Sequence, residues 1–212
     1  MIATAHWQHA LKRAFDIVVG SALLVASLPV LAACMLAVRL SSKRGEPVIF
    51  RQSRVGRWGR PFVMYKLRTM HDDAAEILSR HLAESPQEQA EWDRFGRLAN
   101  DPRLTRLGRW LRITSLDELP QLWNVVKGDM SLVGPRPLYP SFVERFQDAM
   151  PAGRQSVRPG LTGLWQVSGR SELDVSSQFG LDQRYLDGWS LWRDIVILCR
   201  TPAAVLSRRG AY

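Results

Sequence analysis

"IVVGSALLVASLPVLAACMLAV", Ile17 to Val38, is 22 residues without a charge, in a chain of 212 residues whose formal net charge is +9. A helix of that length measures about 33 Å at roughly 1.5 Å per residue, enough to cross a hydrocarbon core of about 30 Å. Its interior speaks against a plain span. Pro29 removes a helix hydrogen bond, and Gly20, Ser21 and Ser27 weaken the helix further. Both flanks are basic, with Lys12 and Arg13 before the run and Arg39, Lys43 and Arg44 after it. A spanning helix usually keeps Lys and Arg on the cytoplasmic side only. The expectation is therefore a re-entrant membrane helix, kinked at Pro29, that dips in and returns with both flanks in the cytoplasm. Ser27 and Pro29 form its hinge, where freed backbone groups need partners inside the protein. A single span, a buried helix of a soluble protein and a lipoprotein signal ending in "LAAC" (Leu31 to Cys34) are the competing readings. Against the last, apolar sequence continues past Cys34 to Val38 and dense basic sequence follows.

Working outward, the chain divides into an N-terminal segment, 1–40, holding the membrane helix, and a cytosolic, membrane-associated domain, 41–212. Cys34 and Cys199 match neither a disulfide framework nor a zinc ligand set. The excess of 29 Lys and Arg over 20 Asp and Glu suits nucleic acid, anionic lipid or a phosphorylated small molecule. A protein that coats nucleic acid gives no reason for the apolar run, so membrane phospholipid is the expected partner and nucleic acid is not. From Arg39 to Arg68 nine cations face one acid, Glu46, as on a segment lying against an anionic leaflet. This segment reads as a small β-hairpin: "EPVIFRQSRVG" and "RPFVMYKLRTM" flank "RWG", whose glycine frees the turn. Alternation puts Phe62, Met64, Lys66 and Arg68 on one face and Val63, Tyr65, Leu67 and Thr69 on the other.

"DDAAEILSRHLAE" is helical in composition, and "SPQE" (Ser85 to Glu88) starts a second polar helix with Ser85 as cap and Pro86 in its first position. In "DPRLTRLGRWLRI", Leu104, Leu107 and Leu111 recur at helical spacing while Arg103, Arg106, Arg109 and Arg112 spread around the other side. The following "TSLDELP" carries Asp117 and Glu118 at the start of a helix that Gly128 ends. Ser115 with Glu118 has capping-box spacing, and Pro120 alternatively suits a first helical position. Acids at a helix start are ordinarily capping acids. Here "KGDMSLVGPRPLYP" follows closely, and Pro135 and Pro137 fix the backbone on both sides of Arg136, which suits a planar guanidinium aimed at a diphosphate. A carboxylate nucleophile attacking phosphorus needs nearby cations or a metal. Lys66, Arg68, Arg112 and Arg136 are the candidates. The C-terminal "GWSLWRDIVILCRTPAAVL" is interrupted by Arg193, Asp194 and Arg200 and reads as an amphipathic surface helix.

"KRAFDIVVGSALLV", "EPVIFRQSRVGRWGRPFVMYKLRTM", "DPRLTRLGRWLRITSLDELPQLWNVVKGDMSLVGPRP" and "RPGLTGLWQVSGRS" resemble successive blocks of the bacterial sugar transferases, the monotopic polyprenyl-phosphate phosphoglycosyl transferases. The match runs from Lys12 to about Asp194 and is similar to the family's minimal catalytic unit. The resemblance implies an α+β, mostly helical fold with a re-entrant helix, a small hairpin and amphipathic interfacial helices, on the cytoplasmic face of a bacterial inner membrane. It implies transfer of a sugar 1-phosphate from a UDP-sugar to polyprenyl (undecaprenyl) phosphate, the first membrane step of exopolysaccharide, capsule or O-antigen synthesis. Asp117 is then the nucleophile and Glu118 its dyad partner, with Mg2+ near both. Pro135, Arg136 and Pro137 would belong to the nucleotide site, and Lys66, Arg68 and Arg112 would bind phosphate. Trp165, Gln166 and Arg170 are candidates for the sugar side. The branch resembled transfers glucose or galactose; a HexNAc or diacetamido sugar, or a basic membrane-surface protein without catalysis, is the alternative. The family commonly has Ser-Pro at the helix break, whereas Leu28 precedes Pro29 here.

Overall fold

The computed structural model describes residues 6–95, 98, 100–169 and 173–207. Helix α1 (His6–Ser41) absorbs the whole apolar run and carries Pro29 inside it. Among the described residues it alone is long and apolar enough to cross a membrane. Trp7, Val18, Val25, Leu36 and Leu40 stand exposed on it, whereas Phe15, Val19 and Leu24 pack on one hydrophobic core and Leu31, Cys34 and Val38 belong to a second. Contacts at three- to four-residue spacing mean that one stripe of α1 faces the protein along its length. Pro29 cannot donate to the carbonyl of Val25. The nearby hydroxyl of Ser27 donates instead to Leu24 O at 2.9 Å.

Two residues of the basic flank turn inward. Lys12 Nζ lies 2.8 Å from both Asp16 Oδ1 and Asp194 Oδ2. Asp16, buried, also receives Ser131 Oγ and the Leu132 backbone N–H, each at 3.1 Å. Arg13 donates to Val125 O and Val126 O at 2.7 Å.

Strands β1 (Ile49–Val55) and β2 (Pro61–Leu67) pair antiparallel from Ile49 with Leu67 to Val55 with Pro61. The turn Arg57–Gly59 is tight: Gly59 has φ +73°, and Trp58 takes φ +60°. Alternation holds, but both faces are covered at the base of the hairpin, Met64 entering the first core and Leu67 the second. Asn124 ties the outer edge of β2, donating through Nδ2 to Val63 O at 2.7 Å and accepting from the Tyr65 N–H at 3.1 Å.

Helices α2 (Ala74–Glu84) and α3 (Pro86–Phe95) form a polar arm, with Ser85 Oγ accepting from the Glu88 N–H at 3.4 Å as its sequence suggests. Helix α4 (Arg106–Ile113) starts later than the arginine and leucine spacing implies. Thr105 caps it by accepting from the Gly108 N–H at 2.8 Å. Asp101 captures Arg103 at 2.6 Å, and Leu104 bridges to Met70, so both residues precede the helix. At Gly108 an added Cβ would lie 1.9 Å from Thr69 O, so α4 comes this close only because the position lacks a side chain.

Helix α5 (Gln121–Lys127) ends at Gly128, φ +102°, whose N–H donates to Asn124 O and Val125 O. Strand β3 (Ser131–Val133) leads past α6 (Pro140–Arg145) to β4 (Gly160–Thr162), which pairs parallel with β3. Short α7 (Leu164–Ser168), then α8 (Val175–Asp187) and α9 (Leu191–Leu206) complete the chain. Met64, Leu122, Val125, Met130, Leu132, Val133, Tyr185 and Ile197 form the main core. Asp194 of α9 is buried there and accepts from Tyr185 Oη at 2.9 Å and Trp189 Nε1 at 3.3 Å. The result is α+β and mostly helical, with two small sheets.

Candidate functional site

Residues Asp117 and Glu118 do not sit on a helix start joined to α5. They occupy a separate 3-10 turn, Leu116–Glu118, between α4 and α5. Ser115 takes a left-handed conformation, φ +57°, and its side chain makes no cap hydrogen bond to that turn. The capping box does not form because Glu118 has stronger partners. Its Oε1 receives Lys66 Nζ at 2.8 Å and Arg136 Nη2 at 2.7 Å. Charge-assisted bonds of this kind outweigh a neutral N–H. Asp117 is buried, with Lys66 Nζ 3.8 Å from its Oδ2.

The two carboxyls differ in proton affinity. Burial raises Asp117 above the ordinary carboxylate range, against the lowering pull of Lys66, Arg112 and Arg136 and with the Glu118 charge adding to the rise. Burial pushes Glu118 up as well, but Arg136 and Lys66, which both bond it, hold it well below that range. Glu118 in turn raises Arg136. Environments that separate a carboxyl pair in this way divide it into a fixed anion and a group whose charge responds to what arrives.

Of the basic candidates, Lys66 and Arg136 reach the dyad directly. Arg112 acts on Asp117 through its charge while its Nε donates to Thr69 Oγ1 at 3.1 Å. Arg68 is engaged elsewhere, 2.5 Å from Glu46 Oε2 and 3.0 Å from Asp72 Oδ1. The Pro-Arg-Pro loop is held by its carbonyls, which suits a segment whose prolines cannot donate. Pro135 O accepts from the Gly160 N–H at 2.8 Å, Arg136 O from Arg154 Nη2 at 2.6 Å and Pro137 O from Arg54 Nη1 at 3.4 Å.

Arg54 and Arg154 were not among the sequence candidates, and both are buried. Arg54 stacks on Tyr139, its Cζ 3.3 Å from the ring centre, and burial brings its guanidinium down to about 10. Arg154 spans from Asp182, at 2.9 Å, to the loop. Alternation along β1 shows Arg54 sharing a face with Gln52, but only the fold reveals Tyr139 above it. Arg154 gives no local signal at all. Trp165 and Gln166 are buried in α7. Gln166 donates to Leu161 O at 3.1 Å, and its Oε1 lies 2.5 Å from where a Cβ on Gly163 would sit. The same Cβ would lie 2.3 Å from Gly134 O, which places Gln166 beside the loop that carries Arg136. Arg170 lies outside the described residues. Among the described residues no group of three or more His, Cys, Asp or Glu is placed to hold a metal by itself.

An acid pair held by one ammonium and one guanidinium suits a phosphorylated substrate, and the chain carries a helix long and apolar enough to cross a membrane. Similarity narrows that reading. The chain belongs to the bacterial sugar transferase family, whose model matches residues 7–208. It is 46% identical over 202 residues to the undecaprenyl-phosphate galactose phosphotransferase of Salmonella typhimurium, covering 95% of this chain and 42% of that one. It is 40% identical over 201 residues to the exopolysaccharide production protein ExoY of Rhizobium meliloti, covering 95% and 88%. It is also 40% identical over 210 residues to the UDP-glucose:undecaprenyl-phosphate glucose-1-phosphate transferase of Caulobacter vibrioides, covering 95% and 72%. The chain spans about two fifths of the length of the Salmonella protein.

Proposed function

We propose that the protein moves a hexose 1-phosphate, glucose or galactose, from a UDP-sugar to polyprenyl phosphate through a covalent intermediate on Asp117. An Asp117 carboxylate oxygen attacks the β-phosphorus, the phosphoanhydride bond breaks, and UMP leaves with the bonding electrons. An oxygen of polyprenyl phosphate then attacks the same phosphorus, the acyl-phosphate bond breaks, and the Asp117 carboxylate is restored. The observation that carries this reading is the division of labour in the dyad. Glu118 takes the bonds of Lys66 and Arg136, and Asp117 is left 3.8 Å from Lys66. Lys66 and Arg136 would also balance charge on the diphosphate once it displaces part of Glu118's hold on them.

A magnesium ion fits such a site. With no three-residue ligand set among the described residues, Asp117 and Glu118 would bind it in the manner usual for Mg2+, through one or two carboxylates plus substrate phosphates. When bound it would neutralise charge on the diphosphate. Relatives named for galactose and for glucose support a hexose donor. In this reading α1 enters the cytoplasmic leaflet of the inner membrane and returns at Pro29, so that the site meets polyprenyl phosphate at the interface; α9, with Trp192 and Leu206 exposed, lies along it.

The test is UMP release from a panel of UDP-sugars by detergent-solubilised protein with Mg2+ and polyprenyl phosphate, with intact-mass measurement of the protein. Wild type releases UMP and gains the mass of a sugar phosphate; Asp117→Asn does neither. Equal UMP release by the variant removes Asp117 as nucleophile.

A further inference from the structure

A second basic centre lies at the hairpin tip, away from the dyad. Arg57, Trp58 and Arg60 face Gly128, Asp129 and Arg158 across a cleft of about 440 Å³, within the roughly 300–1,000 Å³ typical of small-ligand sites. Pro61, where β2 leaves the tip, is five residues from Lys66, or about 16 Å at roughly 3.3 Å per residue.

The cleft's arginines differ from most of the inward-facing ones. Arg68, Arg103, Arg136 and Arg154 each have a carboxylate. Among the described residues Arg57, Arg60 and Arg158 have none, and the one acid in the wall, Asp129, lies 3.1 Å from Lys127. Arg57 and Arg158 are anchored through Nε alone, to Ser156 O and Gly128 O at 2.8 Å, which orients each fork and leaves its terminal nitrogens for an anion. Burial lowers Arg57, and the Arg158 charge lowers it further, so the fold holds like charges together here.

Two observations identify the anion's source. Trp58, 62% exposed, stands in a left-handed conformation at the tip with its ring centre 5.0 Å from Arg57 Cζ. An exposed tryptophan beside arginines is typical of headgroup depth. The opposite wall touches the membrane helix, since a Cβ on Gly128 would lie 3.1 Å from Arg13 Nη2. Near Arg13 on α1, Leu11 and Ile17 are exposed.

We propose that this cleft binds the phosphate of an anionic phospholipid headgroup, with Trp58 at the boundary between headgroups and acyl chains. The site rests on the membrane placement of α1 proposed above and is independent of the transfer chemistry.

Calorimetric titration of the full chain in neutral detergent tests it, with short-chain phosphatidylglycerol, short-chain phosphatidylcholine and inorganic phosphate as probes. Phosphatidylglycerol binds saturably, about tenfold or more weakly in Arg60→Gln and in Arg158→Gln, as expected for loss of one charge-assisted bond. Arg80→Gln, exposed on α2 and outside the cleft, leaves the affinity unchanged. Equal affinity in wild type and both cleft variants overturns the site. Phosphatidylcholine binding as tightly as phosphatidylglycerol overturns the anionic headgroup, and inorganic phosphate binding as tightly overturns the lipid source. Arg60 is exposed and its hydrogen bonds, to Arg57 O and from the Gly56 N–H, are made by its backbone, which the substitution leaves in place, so its variant retains the structure. UMP release from the same preparations separates failure of this site from failure of the transferase reading.

Discussion

Among single residues, Lys66 has the sharpest consequence, because it touches both members of the dyad. It favours the ionised form of Asp117, whose carboxyl burial has already raised. Removing it lifts that carboxyl further, so an acid of high folded pKa loses its charge at a higher pH. Lys66→Gln is therefore expected to move the acidic limb of the pH profile of kcat/KM for UMP release upward, and to lower the rate at neutral pH by roughly 10²-fold, the scale for loss of one electrostatic donor. An unmoved limb would mean that Lys66 does not govern Asp117. Arg154 acts through the Arg136 carbonyl. Arg154→Gln is expected to raise KM for the UDP-sugar about tenfold, near 1.4 kcal/mol, with kcat changing less. Asp182→Asn in the same protein relieves the buried acid left behind and restores thermal stability without restoring KM. If KM recovers too, Arg154 is only structural. The dyad and Arg136 were legible in the sequence because proline and acid spacing mark them. Arg54 and Arg154 were not, since each draws its role from a partner distant in the chain.

For whole elements, the join between α1 and α9 matters most. Lys12 sits between two buried carboxylates from the two helices, and removing it leaves both uncompensated. Lys12→Met is expected to cost about 3–5 kcal/mol, read as a fall of roughly 10 °C in the melting temperature at pH 8. Burial raises Asp194 above the ordinary range and Lys12 pulls it down, so without Lys12 it protonates more readily. The deficit is therefore largest at high pH and shrinks as pH falls through the elevated Asp194 value. A deficit equal at pH 5 and pH 8 would show that charge is not its cause. The hairpin, the α3 start and the Gly128 stop were readable from alternation, Ser-Pro and glycine. The start of α4 was misread because Asp101 removes Arg103 from a pattern that spacing alone extends. Likewise, Lys12 and Arg13 read as a membrane flank, because nothing local announces a carboxylate, Asp194, and carbonyls more than a hundred residues away.

At the scale of the molecule, α1 is more than an anchor. It walls both hydrophobic cores. Deleting residues 1–41 is expected to yield a chain that binds hydrophobic dye and lacks a cooperative melt, rather than a soluble catalytic domain; a sharp melting transition in the deletion would refute this. Re-entry makes its own prediction in a Cys199→Ser background. Trp7→Cys and Ser41→Cys should react with an impermeant maleimide from the same side of sealed vesicles, and labelling from opposite sides would show a span. The hairpin has one more consequence, through Asn124. By giving and taking a hydrogen bond at β2, its amide behaves as a strand of a single residue laid along the edge away from β1. Open borders recruit other molecules, and with Asn124 in place the Val63 carbonyl and the Tyr65 N–H are no longer on offer to a neighbouring strand.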